Sequence, residues 1–357
     1  MARLINDAAM LPQLLEGTTP VFITMPSDVL SKADPSGIIS AAVRQSGARH
    51  LTYAGSALPV EDVQRLYDQV DEKRCSPIVA VGGGTVIDAA KIIAVALSNR
   101  LPGIGPILDN PTGFANTIPM ICIPTTCGTG SEATHFAVVY RDGRKYSIAH
   151  QSMRPETAIL DWRFLVALPD AVRNATVLDA LSQAVESAWA NGATDQSREY
   201  AASSIENILK GLDADTLPER LQYFQVGSHL SGKAIDISKT TASHAISYPL
   251  TAGFGIPHGL AVFLTLPGIA ELNFRDGPRD RFTLLFDLFQ VDTIEAFAGR
   301  LRRIMAGMGF GLRLGDWRVI ENDLPGIAAE SIVPGRSDNN PVAFNEAAVL
   351  ELLKSIM

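Results

Sequence analysis

The apolar run Pro77-Ile78-Val79-Ala80-Val81 passes without a break into Gly82-Gly83-Gly84 and then into Thr85-Val86-Ile87-Asp88-Ala89-Ala90-Lys91. A strand delivered straight to a glycine turn and a helix is half of a βαβ unit, and such units assemble into parallel sheets. Further β-rich runs stand at Val21 to Met25, His50 to Tyr53 and Pro119 to Pro124, with helical spacing at Ile38 to Gln45, Val60 to Val70 and Thr85 to Leu97. The alternation predicts an α/β nucleotide-binding domain over residues 1–160. Between Tyr140 and Leu160 the pattern around Arg141-Asp142-Gly143-Arg144 predicts a hairpin. From Ala171 to Met357 nearly everything reads as helix: Val177 to Ala190, Ser197 to Gly211, Pro218 to Lys233, Ser238 to Leu250, Asp292 to Met308 and Asn345 to Met357. A second, all-α domain is therefore expected over residues 161–357, with the boundary near Asp161.

Composition supports two cores and narrows the partners. The chain has 357 residues, 46% hydrophobic and 19% charged, enough apolar material for two domains. Its 30 Lys+Arg against 38 Asp+Glu leave a net charge of −8, and no basic run occurs, so no nucleic-acid partner is expected. An anionic ligand must then be met by a local cation. Cys75, Cys122 and Cys127 lack metal-type spacing and read as reduced thiols of a cytoplasmic protein. Residues Met1 to Pro20 lack a signal-peptide pattern, and the apolar stretches Ile87 to Leu97 and Gly259 to Leu272 are short and interrupted, so no membrane span is expected.

Two loops carry polar chemistry on the α/β half. Without Cβ atoms, Gly82, Gly83 and Gly84 let a pyrophosphate approach the backbone, and the N–H groups and positive dipole end of the following helix attract it. Thr85 adds a hydroxyl. The same glycines would also serve a plain strand-to-helix turn, and the run matches neither the usual dinucleotide fingerprint nor the Walker pattern. The second loop, Pro124-Thr125-Thr126-Cys127-Gly128-Thr129-Gly130-Ser131-Glu132, is denser in hydroxyls than a turn requires. Its hydroxyls and amides suit ribose, phosphate or a carboxamide.

The helical half carries a candidate metal set. Asp179 and Gln183, four residues apart, share one face of a helix. The segment Ser243 to Gly259 supplies His244 and His258. A carboxylate, an amide oxygen and two imidazoles suit a borderline divalent ion such as iron or zinc. Taken singly, each histidine is more often structural than a ligand, and Asp179 and Gln183 could bond within their helix. The combination shifts the balance toward a site.

Together these segments resemble the iron-containing (metal-dependent) alcohol dehydrogenase family, whose members usually read GGGS-x-x-D-x-A-K, TT-x-GTGSE, DAL-x-H-A-x-E and H-A-x-x-H-x-L followed by PHG. The likeness spans nearly the whole chain and reaches Asn339-Asn340-Pro341. It implies a Rossmann-like parallel sheet plus a helical domain, the dehydroquinate synthase-like architecture. It also implies a nicotinamide dinucleotide, a divalent metal and a homodimer. By the same likeness Asp179, His244 and His258 occupy metal-ligand positions, and Gly82, Gly83, Gly84, Thr85, Asp88, Thr125, Thr126 and Thr129 occupy cofactor positions.

Two positions depart from the family pattern. Gln183 replaces a ligand histidine with a weaker amide donor, and Tyr248 replaces a histidine near nicotinamide and substrate with a group that titrates far higher. Within the family the chain is most similar to the phosphonoacetaldehyde reductase branch, in Asp179 to Gln183, Gly143 to Ser147 and Gly232 to His244. Lys239 stands there where a small residue is common, about one helical turn before His244, and is a candidate for holding an anionic tail. Lys233 and Arg336 are further candidates. The implied activity is NAD(P)H-dependent reduction of a small anionic aldehyde, phosphonoacetaldehyde to 2-hydroxyethylphosphonate, with the alkoxide proton drawn from metal-bound water, a ribose hydroxyl or Tyr248. Met25 stands where NAD-preferring members often carry an acid, so NADPH is admitted and Ser27 could bond its phosphate. A reductase for another short aldehyde, a dehydroquinate synthase-type lyase or cyclase, and a non-catalytic binding protein are the competing readings.

Overall fold

The computed structural model describes residues 3–34, 36–70, 75–109, 113–142, 144–333 and 335–357. Gly143 of the expected hairpin turn, and Pro334 beside Arg336, lie outside the described residues. The chain forms two compact units, Met1–Leu168 with Asp215–Gln225, and Pro169–Ala214 with Val226–Met357.

The first unit contains β1 (Arg3–Ile5), β2 (Val21–Thr24), β3 (Arg49–Thr52), β4 (Ile78–Gly82), β5 (Met120–Pro124), β6 (Phe136–Arg141), β7 (Arg144–Ala149) and β8 (Thr157–Ile159). Six of these make one parallel sheet in the order β1-β8-β5-β4-β2-β3, while β6 and β7 pair antiparallel. The three-residue strands β1 and β8 were not foreseen; runs that short carry no readable period. Successive strand residues face opposite sides. Accordingly Val21, Ile23, Ile78, Ala80 and Cys122 enter one core, and Phe22, Val79, Val81, Ile121 and Ile123 enter the other. Burial on both faces explains why these strands read as unbroken apolar runs.

This unit also holds helices α1 (Leu11–Leu14), α2 (Ser27–Ala33), α3 (Ile38–Ser46), α4 (Val60–Tyr67), α5 (Gly84–Ser98) and α6 (Gly105–Asp109). In α5 every residue from Val86 to Leu97 is buried, as expected of a helix apolar all round. The strand order reverses between β2 and β4, which neighbour each other while β3 and β5 lie outward. Beyond the carboxyl ends of strands at such a reversal, open α/β sheets form their ligand crevice, and the Gly82-Gly83-Gly84 turn stands at that end of β4.

The second unit is helical: α7 (Asp170–Trp189), α8 (Asp195–Asp213), α9 (Leu217–Ser238, belonging to this unit from Val226), α10 (Ala242–Phe254), α11 (His258–Asp276), α12 (Thr283–Phe289), α13 (Ile294–Gly307), α14 (Leu324–Glu330) and α15 (Glu346–Ser355). Two differences from expectation concern the site. The helix expected from Ser238 begins at Ala242, so Lys239 lies in the α9–α10 link and not one helical turn before His244. The stretch from His258, unassigned in the sequence reading, is the 19-residue α11, which runs through Pro267. No helix among the described residues is long and apolar enough to cross a membrane.

Candidate metal centre and nucleotide loops

On α7, Asp179, Gln183 and Glu186 fall at positions i, i+4 and i+7, one face of the helix. Helix α10 brings His244, and His258 opens α11. One ligand atom each from Asp179, His244 and His258 lies within 4.8 Å of the others. His244 Nε2 stands 3.3 Å from Asp179 Oδ1. Gly259 permits this approach: a Cβ there would stand 2.0 Å from the Ala175 carbonyl oxygen and 2.8 Å from Asp179 Cβ. The glycine after His258 therefore lets α11 begin against α7 at Asp179.

Glu186 orients the set. Its carboxylate is fully buried; one oxygen accepts from Thr241 Oγ1 at 2.9 Å, Ser243 N at 2.8 Å and His244 N at 3.3 Å, and the other meets His244 Nδ1. A carboxylate on Nδ1 fixes that nitrogen as the N–H and turns Nε2 toward Asp179. Ser247 does the like for His258. Its hydroxyl donates to the His244 carbonyl at 2.7 Å and lies 3.3 Å from His258 Nδ1, which leaves Nε2 as the lone-pair nitrogen. Neither Glu186 nor Ser247 was singled out in the sequence, although the spacing of Glu186 from Asp179 was a usable signal.

The electrostatics call for a cation. Burial pulls His244 down, but the Glu186 charge and the hydrogen bonds to Asp179 and Glu186 outweigh it and push its pKa up to about 9. Burial also opposes ionisation of Glu186, yet His244 and Thr241 hold it below the usual carboxylate range. Two buried carboxylates thus share one imidazole, with His244 Nε2 facing Asp179 Oδ1 across 3.3 Å. A divalent ion would replace the proton at that nitrogen, and this nitrogen–oxygen donor set fits iron(II) or zinc(II).

The remaining predicted residues of this unit differ in their surroundings. Gln183 is buried on the same face of α7, and its Oε1 lies 2.9 Å from Ser231 Oγ of α9. Tyr248, one turn after His244, stacks on the His258 ring at 6.3 Å and 24°. Lys239 is exposed, with no ion pair among the described residues. Lys233 sits over the Tyr200 ring at 4.0 Å, a contact that already engages its charge, and Arg336 is half-buried before a single 3-10 turn.

In the first unit the two polar loops press together. A Cβ on Gly84 would approach Thr129 Cγ2 to 2.9 Å, and one on Gly83 would approach Thr126 Cγ2 to 3.2 Å. Thr125 N donates to the Gly82 carbonyl at 3.1 Å, and Thr85 Oγ1 lies 3.3 Å from the Gly55 carbonyl. Gly83, Gly84, Thr85, Thr126 and Thr129 are half-buried at the open end of α5, whose N-cap Gly83 has no side-chain cap. Asp88 is used internally. Its oxygens accept from Ser131 Oγ at 2.5 Å and Val138 N at 2.9 Å, while the buried Lys91 donates to Ser131 Oγ, Thr134 Oγ1 and the Phe136 carbonyl. The pair fastens the hydroxyl loop to α5 from beneath.

A parallel nucleotide-type sheet joined to a helical unit with a carboxylate–imidazole metal set defines a metal-dependent alcohol dehydrogenase or reductase. Residues 6–162 match the iron-containing alcohol dehydrogenase family and residues 173–357 its C-terminal family, and the chain belongs to that family. Membership removes the lyase and non-catalytic readings. The chain is 32% identical over 72% of its length, and 67% of the relative's, to the probable alcohol dehydrogenase EutG of Escherichia coli. It is 31% identical to the phosphonoacetaldehyde reductase of Streptomyces viridochromogenes, over 73% of its length and 67% of the relative's. Among solved structures, sulfoacetaldehyde reductase from Bifidobacterium kashiwanohense in complex with NAD+ matches with a TM-score of 0.88 at 25% identity, over 99% of this chain and 96% of that one.

Proposed function

We propose that the protein reduces a short aldehyde bearing a tetrahedral anionic group, with phosphonoacetaldehyde to 2-hydroxyethylphosphonate as the preferred pair and NADH or NADPH as donor. The convergence of Asp179, His244 and His258, backed by Glu186, carries the reading. These three residues would hold Fe(II) or Zn(II), with Gln183 as a weaker fourth donor whose amide oxygen is shared with Ser231. When bound, the ion supplies Lewis acidity at the carbonyl oxygen and the reduced nicotinamide supplies the hydride. Aldehyde, NAD(P)H and one proton give the alcohol and NAD(P)+.

The chain's own residues bind, orient and handle the proton. The amides of Gly82, Gly83, Gly84 and Thr85, with the hydroxyls of Thr125, Thr126 and Thr129, take the dinucleotide, and Asp88 secures their loop through Ser131. With Met25, and not an acid, directly after β2, the chain admits NADPH, with Ser27 near the extra phosphate. Tyr248 is assigned to proton handling, with a ribose hydroxyl of the dinucleotide as the rival route. Lys239 takes the anionic tail; two relatives named for phosphonoacetaldehyde and sulfoacetaldehyde support a substrate of that charge. A cytoplasmic homodimer belongs to the same proposal.

A reductase for an uncharged short aldehyde is the second reading, favoured by the likeness to the Escherichia coli protein. The test is a panel of two-carbon aldehydes with phosphonate, sulfonate or no tail, assayed with Fe(II) or Zn(II) and with each cofactor. Higher kcat/KM for the charged aldehydes is the expected result; a preference for acetaldehyde overturns the proposal.

A further inference from the structure

Lys239 holds a backbone conformation that its side chain disfavours. Its φ is +61°, in the left-handed region that glycine enters freely and other residues enter against a Cβ–carbonyl clash. Such a residue persists only where its surroundings over-determine it. Here they do. Lys239 N donates to the Ile235 carbonyl at 2.9 Å, and the Lys239 carbonyl accepts from Ser238 Oγ at 3.0 Å. The carbonyls on either side, of Ser238 and Thr240, both accept from Asn339 Nδ2, at 2.7 and 3.0 Å.

Asn339 is itself anchored. Its Oδ1 accepts from Gly192 N at 2.9 Å and its main-chain oxygen accepts from Asn191 N at 2.8 Å. Glycine at 192 fits this junction, since a Cβ there would stand 3.0 Å from the Ser238 carbonyl oxygen. Two residues after Lys239, Thr241 Oγ1 donates to the same Glu186 that holds His244. The α9–α10 link and the metal centre therefore share one hydrogen-bonded frame. That frame ends in an exposed ammonium with no ion pair among the described residues. If the link needed only its shape, glycine would supply it without strain, so the charge is what lysine adds.

We propose that Asn339 is a positioning residue for substrate recognition: by bracketing Lys239 through the Ser238 and Thr240 carbonyls, it holds that cation ready for the substrate's anionic tail. The inference rests on the role given to Lys239 above. A pinned backbone leaves less freedom to lose when the anion binds, so the clasp acts on binding of charged substrates and not on hydride transfer.

The experiment compares Lys239→Ala, Lys239→Gly, Asn339→Ala and the Asn339→Ala/Lys239→Gly double variant on metal-loaded protein. KM and kcat are measured for a phosphonate- or sulfonate-bearing aldehyde and for an uncharged one, together with Tm. Lys239→Gly should raise the charged-to-uncharged KM ratio about tenfold or more, and should raise Tm by roughly 1–3 °C as the backbone strain is relieved. Asn339→Ala should raise the same ratio about three- to tenfold, with kcat for the uncharged aldehyde held within about twofold, and should add nothing to the ratio once Lys239 is glycine. Should Asn339→Ala fold poorly, Asn339→Ser keeps one donor and should give an intermediate ratio. An unchanged ratio in Lys239→Ala removes the substrate reading and this proposal with it. A raised ratio there, combined with an Asn339 effect equal for both aldehydes or fully additive with Lys239→Gly, removes the positioning role alone.

Discussion

Replacing Glu186 with glutamine should weaken metal binding about 10–100-fold while leaving the fold largely in place. The side chains are nearly isosteric, and the glutamine carbonyl can still accept from Thr241 Oγ1 and the Ser243 and His244 amides at the 2.8–3.3 Å seen for the carboxylate. The change falls on the oxygen that faces His244 Nδ1. An amide NH2 there forces Nδ1 to accept, which moves the ring proton to Nε2, the nitrogen 3.3 Å from Asp179 and the one an ion needs. Each tenfold loss is about 1.4 kcal/mol, so the expected penalty is roughly 1.4–2.8 kcal/mol. Competition titration of Zn(II) against a chelator, with metal content and circular dichroism on the same samples, measures it. Parental affinity in well-folded Glu186→Gln protein would falsify the tautomer argument.

Other perturbations separate the parts of the molecule. Gly259→Ala places a methyl 2.0 Å from the Ala175 carbonyl oxygen, so α11 must shift from α7. Destabilisation of about 3 kcal/mol or more, with loss of bound metal, is expected by denaturant unfolding and metal analysis; a variant with parental stability and metal content contradicts the packing. Gln183→Glu adds a third carboxylate beside Asp179 and Glu186, so metal-loaded protein should bind its ion more tightly while metal-free protein melts lower. Calorimetry with and without chelator should show a wider Tm gap than in the parent, and a narrower gap counts against Gln183 facing the ion. Lys91→Met strips the buried Asp88 of its cation and should cost about 3–5 kcal/mol, whereas adding Asp88→Asn should recover part of that loss. Strict additivity of the two in urea unfolding speaks against their coupling.

Much of the architecture was legible in the chain because its signals are local. The strand-to-glycine-to-helix run at residues 77–91 contains its own turn chemistry, and the i, i+4 spacing of Asp179 and Gln183 is a property of any helix. Three-residue strands such as β1 and β8 are invisible by the same logic, since their pairing is long-range: Arg3 meets Thr157 across the sheet. The start of α10 was misjudged for a related reason. Lys239 is held out of the helix by Asn339, 100 residues later, and no local propensity encodes that contact.

Residue types and spacing by themselves determined the family, the two kinds of domain and which side chains were available as ligands. Tertiary structure alone decided how they are used. Packing of α7 against α11 at Gly259 brings Asp179 to His258, and the buried Glu186 selects the nitrogen that His244 presents. Orientation and protonation depend on neighbours distant in sequence and on the low dielectric around them, which only the folded chain creates.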